Sequence, residues 1–289
     1  LTPRESRLPT GESAETLNSA PTDHFSVSVA PDPEEIFDRA IEEGERRLGQ
    51  SMLELVATSF IAGFTVVFGI VALGIVEAFV EPRFGHGIAK LAGSLAFGPA
   101  LVFLVVGRTE LFNENFFDPV AKAVAADDSW LVGPLVRLWS VTFVLNLVGG
   151  TLFVAVLSVN GALPDGTAGK LVTFAHEFVH RRTEAEFAKG VVGGTLVTLL
   201  SYLLEAVDSV ASRIALAYVV GVLLTVGVFD HVMVTILHVV FGMFLGANIA
   251  LGELAVTTAV VTAGNLVGGL GLVTLTHVAQ WKGARESGE

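Results

Sequence analysis

Apolar residues run along this chain in long, unalternating stretches. Six can be marked, roughly 55–80, 88–106, 131–159, 190–207, 214–249 and 254–279; about 20 such residues suffice to carry a helix across a bilayer. Runs of this kind predict membrane helices rather than barrel strands, which alternate. The pattern breaks where it is most apolar. LAGSLAFGPALVFLVV runs into VGRTELFNENFFDP (106–119), which sets Arg108, Glu110, Asn113, Glu114 and Asn115 within eight residues.

A second break follows in the other half. Asp230 and His231 separate IALAYVVGVLLTVGVF from VMVTILHVVFGMFLGANIALG. The first of these has 16 residues, about 24 Å of helix, which does not cross a bilayer comfortably. LNLVGGTLFV (145–154) and GNLVGGLGLV (264–273) agree at six of ten positions, 119 residues apart. In that register His231 corresponds to Phe112, and each half sets its break 34 residues before the Asn of NLVGG. The pattern predicts an all-α polytopic membrane protein of six transmembrane helices, in two inverted three-helix repeats with broken second and fifth helices, as in transporters and channels. Irregular polar backbone at membrane depth is tolerated where it lines a cavity or is packed inside protein. Gly149–Gly150, Gly193–Gly194 and Gly268–Gly269 fall in the third, fourth and sixth spans, where they fit either ordinary close packing or packing around a path.

Composition agrees with a membrane class: of 289 residues 52% are hydrophobic and 16% charged, with a mean hydropathy of +0.67. The chain has no Cys, which excludes disulfides, thiolate metal sites and cysteine nucleophiles. Its formal charge is −12, and residues 1–50 hold 11 acids against 5 Arg, half of that total; a nucleic-acid partner is not expected. Residues 1–31 read as a disordered acidic tail. Residues 32–50 read as an interfacial helix with acids in its first turns and Arg46 and Arg47 in its last. A six-helix domain is then expected over 51–282 and a short tail over 283–289. Lys and Arg near the span ends number eight on the side of the N-terminus and six on the other, which places both termini in the cytoplasm of a multi-pass cell-membrane protein.

His231 is the leading candidate for chemistry, because an ionisable group at membrane depth is costly unless it faces a cavity or a partner. Glu110 and Asp230 are expected to anchor the breaks by accepting backbone N–H bonds. Arg108 and Glu110 are placed to pair with each other or with other loops, and Asn113 to cap the following half-helix while facing a path. His238 and His277 read as packing histidines. HEFVH (176–180) has the order of a zinc helix but no third ligand in sight, so neither a metal nor an enzyme activity is expected, and no cofactor is implied.

The segments AKLAGSLAFGPALVFLVVGRTELFNENFFDPVAK (89–122), LVRLWSVTFVLNLVGG (135–150), VFDHVMVTILHVVFG (228–242) and GNLVGG (264–269), in this order and spacing, resemble the formate/nitrite transporter family, in its branch with a GRTELFxEN first loop. The resemblance covers about residues 35–282. It implies an aquaporin-like helical fold and a homopentamer in the lipid bilayer, with one pathway per subunit. The implied function is a channel or permease for small monovalent anions such as formate or nitrite, with proton coupling through His231 open. The resemblance places apolar gates at Phe97, Leu101, Phe112 and Leu224, and the outer-vestibule cation at Arg182. The family's loop threonine falls on Asn113, and the asparagine of the histidine network on Thr198. The alternatives are a neutral-solute facilitator of aquaporin type, which lacks its two Asn-Pro-Ala loops here, and a non-conducting scaffold or sensor that works through the tail.

Overall fold

The computed structural model describes residues 31–126 and 131–288. Of the tail expected at 1–31, residues 1–30 lie outside them. Among the described residues the regular elements are all helical. The first, α1 (Pro33–Gly49), begins where Asp32 accepts a hydrogen bond from Glu35 N at 2.9 Å and Pro33 occupies the first turn. It buries Ile36, Phe37, Ala40, Gly44 and Leu48 and lies over α4 (Asp118–Ala125), where a Cβ on Gly44 would meet the Asp118 carbonyl.

After α1 the chain enters α2 (Met52–Phe97), capped by the Ser51 hydroxyl. Its helical run is interrupted at Gly85, with φ 78° and ψ 168°, a conformation that only glycine adopts without strain. The chain folds back there, because Gly93 lies against Glu77 and Gly69 against Phe97 and Ala100. The second arm continues into α3 (Pro99–Val106) and stops at the first break. A 3-10 turn, Phe112–Phe116, then leads into α4 and α5 (Val132–Leu157).

The second half opens with the connecting helix α6 (Thr167–Val179). Next come α7 (Thr183–Glu205), α8 (Val210–Val226), the second break, and α9 (Val232–Phe244). Finally α10 (Leu251–Leu266) passes through a π-helical segment, Val267–Thr274, into α11 (Leu275–Gly288). By length and composition Met52–Val106, Val132–Leu157, Thr183–Glu205 and Leu251–Glu286 are long and apolar enough to cross a membrane, while α8 and α9 are shorter apolar helices.

The two halves repeat the same contacts. Gly63 lies on the Asn146 carbonyl and Gly194 on the Asn265 carbonyl; Gly149 lies on Phe60 O and Gly268 on Val191 O. A side chain at any of these four positions would overlap backbone, so the glycines set how closely α2 packs on α5 and α7 on α10. At the breaks the register differs from the expected 119. Arg108 and Val228 both adopt positive φ, 51° and 52°, and Thr109 N and Phe229 N bond back to Leu104 O and Leu224 O. These pairs are 120 apart (228 − 108), so His231 corresponds to Leu111, and Phe112 to Val232. The first half needs one more residue before its NLVGG because a 3-10 turn, a short helix and a connection stand where the second half has α9.

Helix α11 continues to Gly288, through the stretch expected as a short tail at 283–289. Trp281 stacks on Phe37 at 4.5 Å, and Arg285 lies over the Trp281 ring and reaches Glu34 at 3.3 Å. These contacts to α1 hold the helix past residue 282.

Candidate functional site

Each break is held by the asparagine of its NLVGG. Asn146 donates to Ser59 O (2.8 Å) and Glu110 O (3.0 Å) and accepts from Phe112 N (3.0 Å). Asn265 donates to Gly190 O (2.7 Å) and Asp230 O (2.7 Å) and accepts from Val232 N (2.8 Å). One carboxamide thus satisfies backbone groups that the missing helical turn leaves over. Asn113 does not cap a helix. Its Nδ2 donates to Asn265 Oδ1 at 2.6 Å, which ties the first break to the second.

Around this tie lie polar groups with no partner. His231 is 1% exposed and neither ring nitrogen makes a hydrogen bond; Asn113 Oδ1 and Thr198 Oγ1 are likewise buried and unpaired. Thr198 stands against Gly269, one turn along α7 from the Gly194 that touches Asn265. Phe97, Leu101, Phe112 and Leu224 are all buried in the main hydrophobic cluster, and Phe112 meets Phe116 and Phe143 edge-on at 5.1 and 5.2 Å.

Two cavities approach this region. One, of about 100 Å³, has Glu77, Lys90, Arg181, Leu224 and His238 in its wall. The other, of about 320 Å³, has Arg47, Leu104, Glu114, Asp118 and Glu205. Leu104 and Leu224 correspond in the 120 register, so each cavity meets an equivalent leucine just before a break.

The carboxylates of the breaks find arginines rather than backbone N–H groups. Glu110 accepts from Gln50 Nε2 (2.9 Å), Arg46 (3.2 Å) and Arg47 (3.4 Å). Asp230 takes both its oxygens to Arg181 Nη1, at 2.7 and 2.8 Å. The backbone N–H groups there have other acceptors: Glu110 N bonds Thr58 O and Asp230 N bonds Lys189 O. Arg108 turns to Glu43 at 3.6 Å rather than to Glu110. Glu43 itself is held down to about 2: burial works against its charge, but the Arg46 hydrogen bond and the charges of Arg47 and Arg46 prevail.

The cation that lines the smaller cavity is Arg181, stacked over Phe178 at 4.5 Å. Its neighbour Arg182 has an 85% exposed side chain and pairs loosely with Glu184 at 3.6 Å. Sequence reasoning chose between adjacent arginines without knowing which way the end of α6 turns them. It also passed over the Asn of NLVGG, although an amide repeated within two apolar runs is a signal of buried bonding. His238, expected as a packing histidine, bonds Val234 O through Nδ1 (2.9 Å) and stands in the wall of the smaller cavity. His277 packs on Tyr202 at 3.8 Å. In HEFVH the rings of His176 and His180 stack at 5.6 Å, and no set of three His, Cys, Asp or Glu among the described residues is placed to hold a metal.

Known proteins resemble this chain in sequence and in fold. The chain is 23% identical to the inner membrane protein YfdC of Escherichia coli K12 over 248 residues, 85% of this chain and 77% of that protein. It is 25% identical over 236 residues to a probable formate transporter of Methanothermobacter thermautotrophicus, covering 75% of this chain and 84% of the other. The fold matches a solved ion channel of the FNT family with a TM-score of 0.75 at 17% identity, over 85% of this chain and 98% of that one. It also matches a pentameric formate channel with formate bound, with a TM-score of 0.66 at 20% identity, over 79% and 97% of the two chains. Residues 34–279 match the formate/nitrite transporter family model, and the chain, a multi-pass membrane protein, belongs to that family.

Proposed function

We propose that this protein conducts small monovalent anions of weak acids, formate and nitrite among them, through a separate pathway in each protomer of a homopentamer. Its relatives named as formate transporters and channels support the substrate class, and the pentameric formate channel of the same fold supports the assembly. The observation that carries the reading is His231, buried at the second break with both ring nitrogens unpaired. An anion stripped of water at membrane depth is costly by several kcal/mol, whereas its neutral acid is not. His231, as imidazolium or through a bridging water, lends the passing anion a proton or a positive charge. Asn113 and Thr198 offer oxygens to orient it, and Phe97, Leu101, Phe112 and Leu224 form dry constrictions on either side. Arg181 and Arg182 gather anions at the mouth beside α6, and Glu110 and Asp230 hold the two breaks in place.

The chain crosses the cell membrane six times, with the halves inverted because each contributes three crossings. The N- and C-termini are cytoplasmic: the contact of α11 with α1 supports one side for both, and the excess of Lys and Arg near the span ends on that side supports the cytoplasm. Purified protein in liposomes tests the reading: uptake of formate, nitrite, acetate and hydrosulfide is measured with and without a pH gradient, against glycerol. Formate-sized anions are expected to pass and glycerol to be excluded. Glycerol flux without anion flux overturns the proposal.

A further inference from the structure

On the α1 side two carboxyl groups face the larger cavity without hydrogen bonds to complete them. Asp118 is 0% exposed and neither of its side-chain oxygens accepts a bond; Glu114 is 4% exposed and its Oε1 accepts none. Arg47 stands 3.5 Å from Asp118 Oδ2. That guanidinium gives Nε and Nη1 to Glu43, Glu110, Asn115 and the Glu114 carbonyl, and only its Nη2 turns to Asp118, as an ion pair without a formed hydrogen bond.

The other charges do not relieve the pair. From α1, Arg46 is held by Glu43 and Glu110, and Arg108 at the break is held by Glu43. Glu205 of α7 adds a further acid to the wall and Arg213 of α8 a base. Arg137 of α5 is turned to the carbonyls of Leu48 and Gln50, and the π-helical segment carries no charge. Ionised, Glu114 and Asp118 repel an anion at this mouth. Protonated, they offer it an O–H.

The repeat supplies an independent reason to read them together with proton transfer. Counted from the positive-φ residues Arg108 and Val228, Asp118 and His238 both lie ten residues on (108 + 10 and 228 + 10), and Glu114 and Val234 six. His238 and Val234 line the opposite cavity. Each half-helix after a break therefore turns a proton-carrying side chain to its own mouth, a carboxyl on one side and an imidazole on the other.

We propose that Glu114 and Asp118 form a proton-exchange site that protonates weak-acid anions entering from the α1 side. The proposal rests on the anion reading above. In the transfer the O–H bond of the carboxyl breaks and one forms on an oxygen of the anion, so that formate and carboxyl become formic acid and carboxylate. The carboxylate is reprotonated by hydronium from the solution at the α1 face, which becomes water, and nothing is oxidised or reduced.

The test uses the full chain in liposomes, with formate as the probe. Infrared difference spectra between neutral and mildly acidic buffer are expected to show a carboxylic-acid C=O band that diminishes in Asp118→Asn and in Glu114→Gln. Acidifying the face that carries α1 is expected to raise formate uptake by the unsubstituted protein. Asp118→Asn loses that rise, and Asp118→Glu, which keeps a carboxyl, retains it. An acid-driven rise unchanged in both Asp118→Asn and Glu114→Gln, or a band that neither variant alters, overturns the proton-exchange site alone. No formate flux by the unsubstituted protein at any pH overturns the anion reading on which it rests.

Discussion

His231 and Asn265 show how much one side chain decides at this site. Asn265 joins Gly190, Asp230, Val232 and Asn113 through a single amide. Asn265→Ala leaves two buried donors, Val232 N–H and Asn113 Nδ2–H, without their acceptor and takes the amide donor from the Gly190 and Asp230 carbonyls, at about 1–3 kcal/mol for each group left unsatisfied. A lowered melting temperature and loss of folded protein are the expected result, and an unchanged melting curve would remove Asn265 as the tie between the breaks. Asn146→Ala is expected to act in the same direction. His231 makes no such bonds, so His231→Asn is expected to leave assembly intact while it abolishes the pH dependence of anion uptake. If flux and its pH profile stay as they were, His231 is structural. The sequence exposed His231 readily because an ionisable pair stood alone in an apolar run. It did not separate Arg181 from Arg182, since that choice depends on the direction in which α6 ends, and neighbouring residues of one type carry no such signal.

Helix α1 acts as an element by clamping the first break. Arg46 and Arg47 bridge Glu43 on their own helix to Glu110 below, and Trp281 of α11 stacks on Phe37 from another direction. The folded state holds Glu43 at about 2, against an ordinary 4.5. A carboxyl depressed on folding contributes stability that is present above its unfolded value and lost as pH falls through the folded one. Docking of α1 is therefore expected to weaken between about pH 4.5 and 2, read by the fluorescence of Trp281. In Glu43→Gln that acid transition should shrink; a transition of the same size in both proteins would assign it to other groups. The elements themselves were legible because apolar length and the NLVGG repeat are written into the sequence. The register at the breaks was not, because an insertion of one residue between two recognisable motifs leaves no mark on either. Gly85 was equally silent: the turn that divides α2 is visible only as a positive φ and as the contacts of its two arms.

At the scale of the whole molecule, the outer surface is apolar where a soluble protein would be polar. Phe68, Phe103, Val136, Leu152, Val219 and Leu272 are all exposed on the single chain, and lipid or further copies of the chain must cover such a surface. The proposed polar site lies inside one protomer: His231, Asn113 and Thr198 are buried among residues of the same chain. The proposal of one pathway per protomer therefore predicts that each copy conducts by itself. Oligomers assembled from a mixture of unsubstituted and blocked protomers can test this. Leu101→Trp, which puts an indole where a buried isobutyl side chain packs, serves as the block, and native mass spectrometry checks that the proposed rings of five persist. If each protomer conducts independently, formate flux falls in proportion to the fraction of blocked chains. A shared central path would fall far more steeply, as roughly the fifth power of the intact fraction for a ring in which every copy must be intact. Proportional loss is the expected result; steep loss would move the pathway from within each protomer to the axis between them.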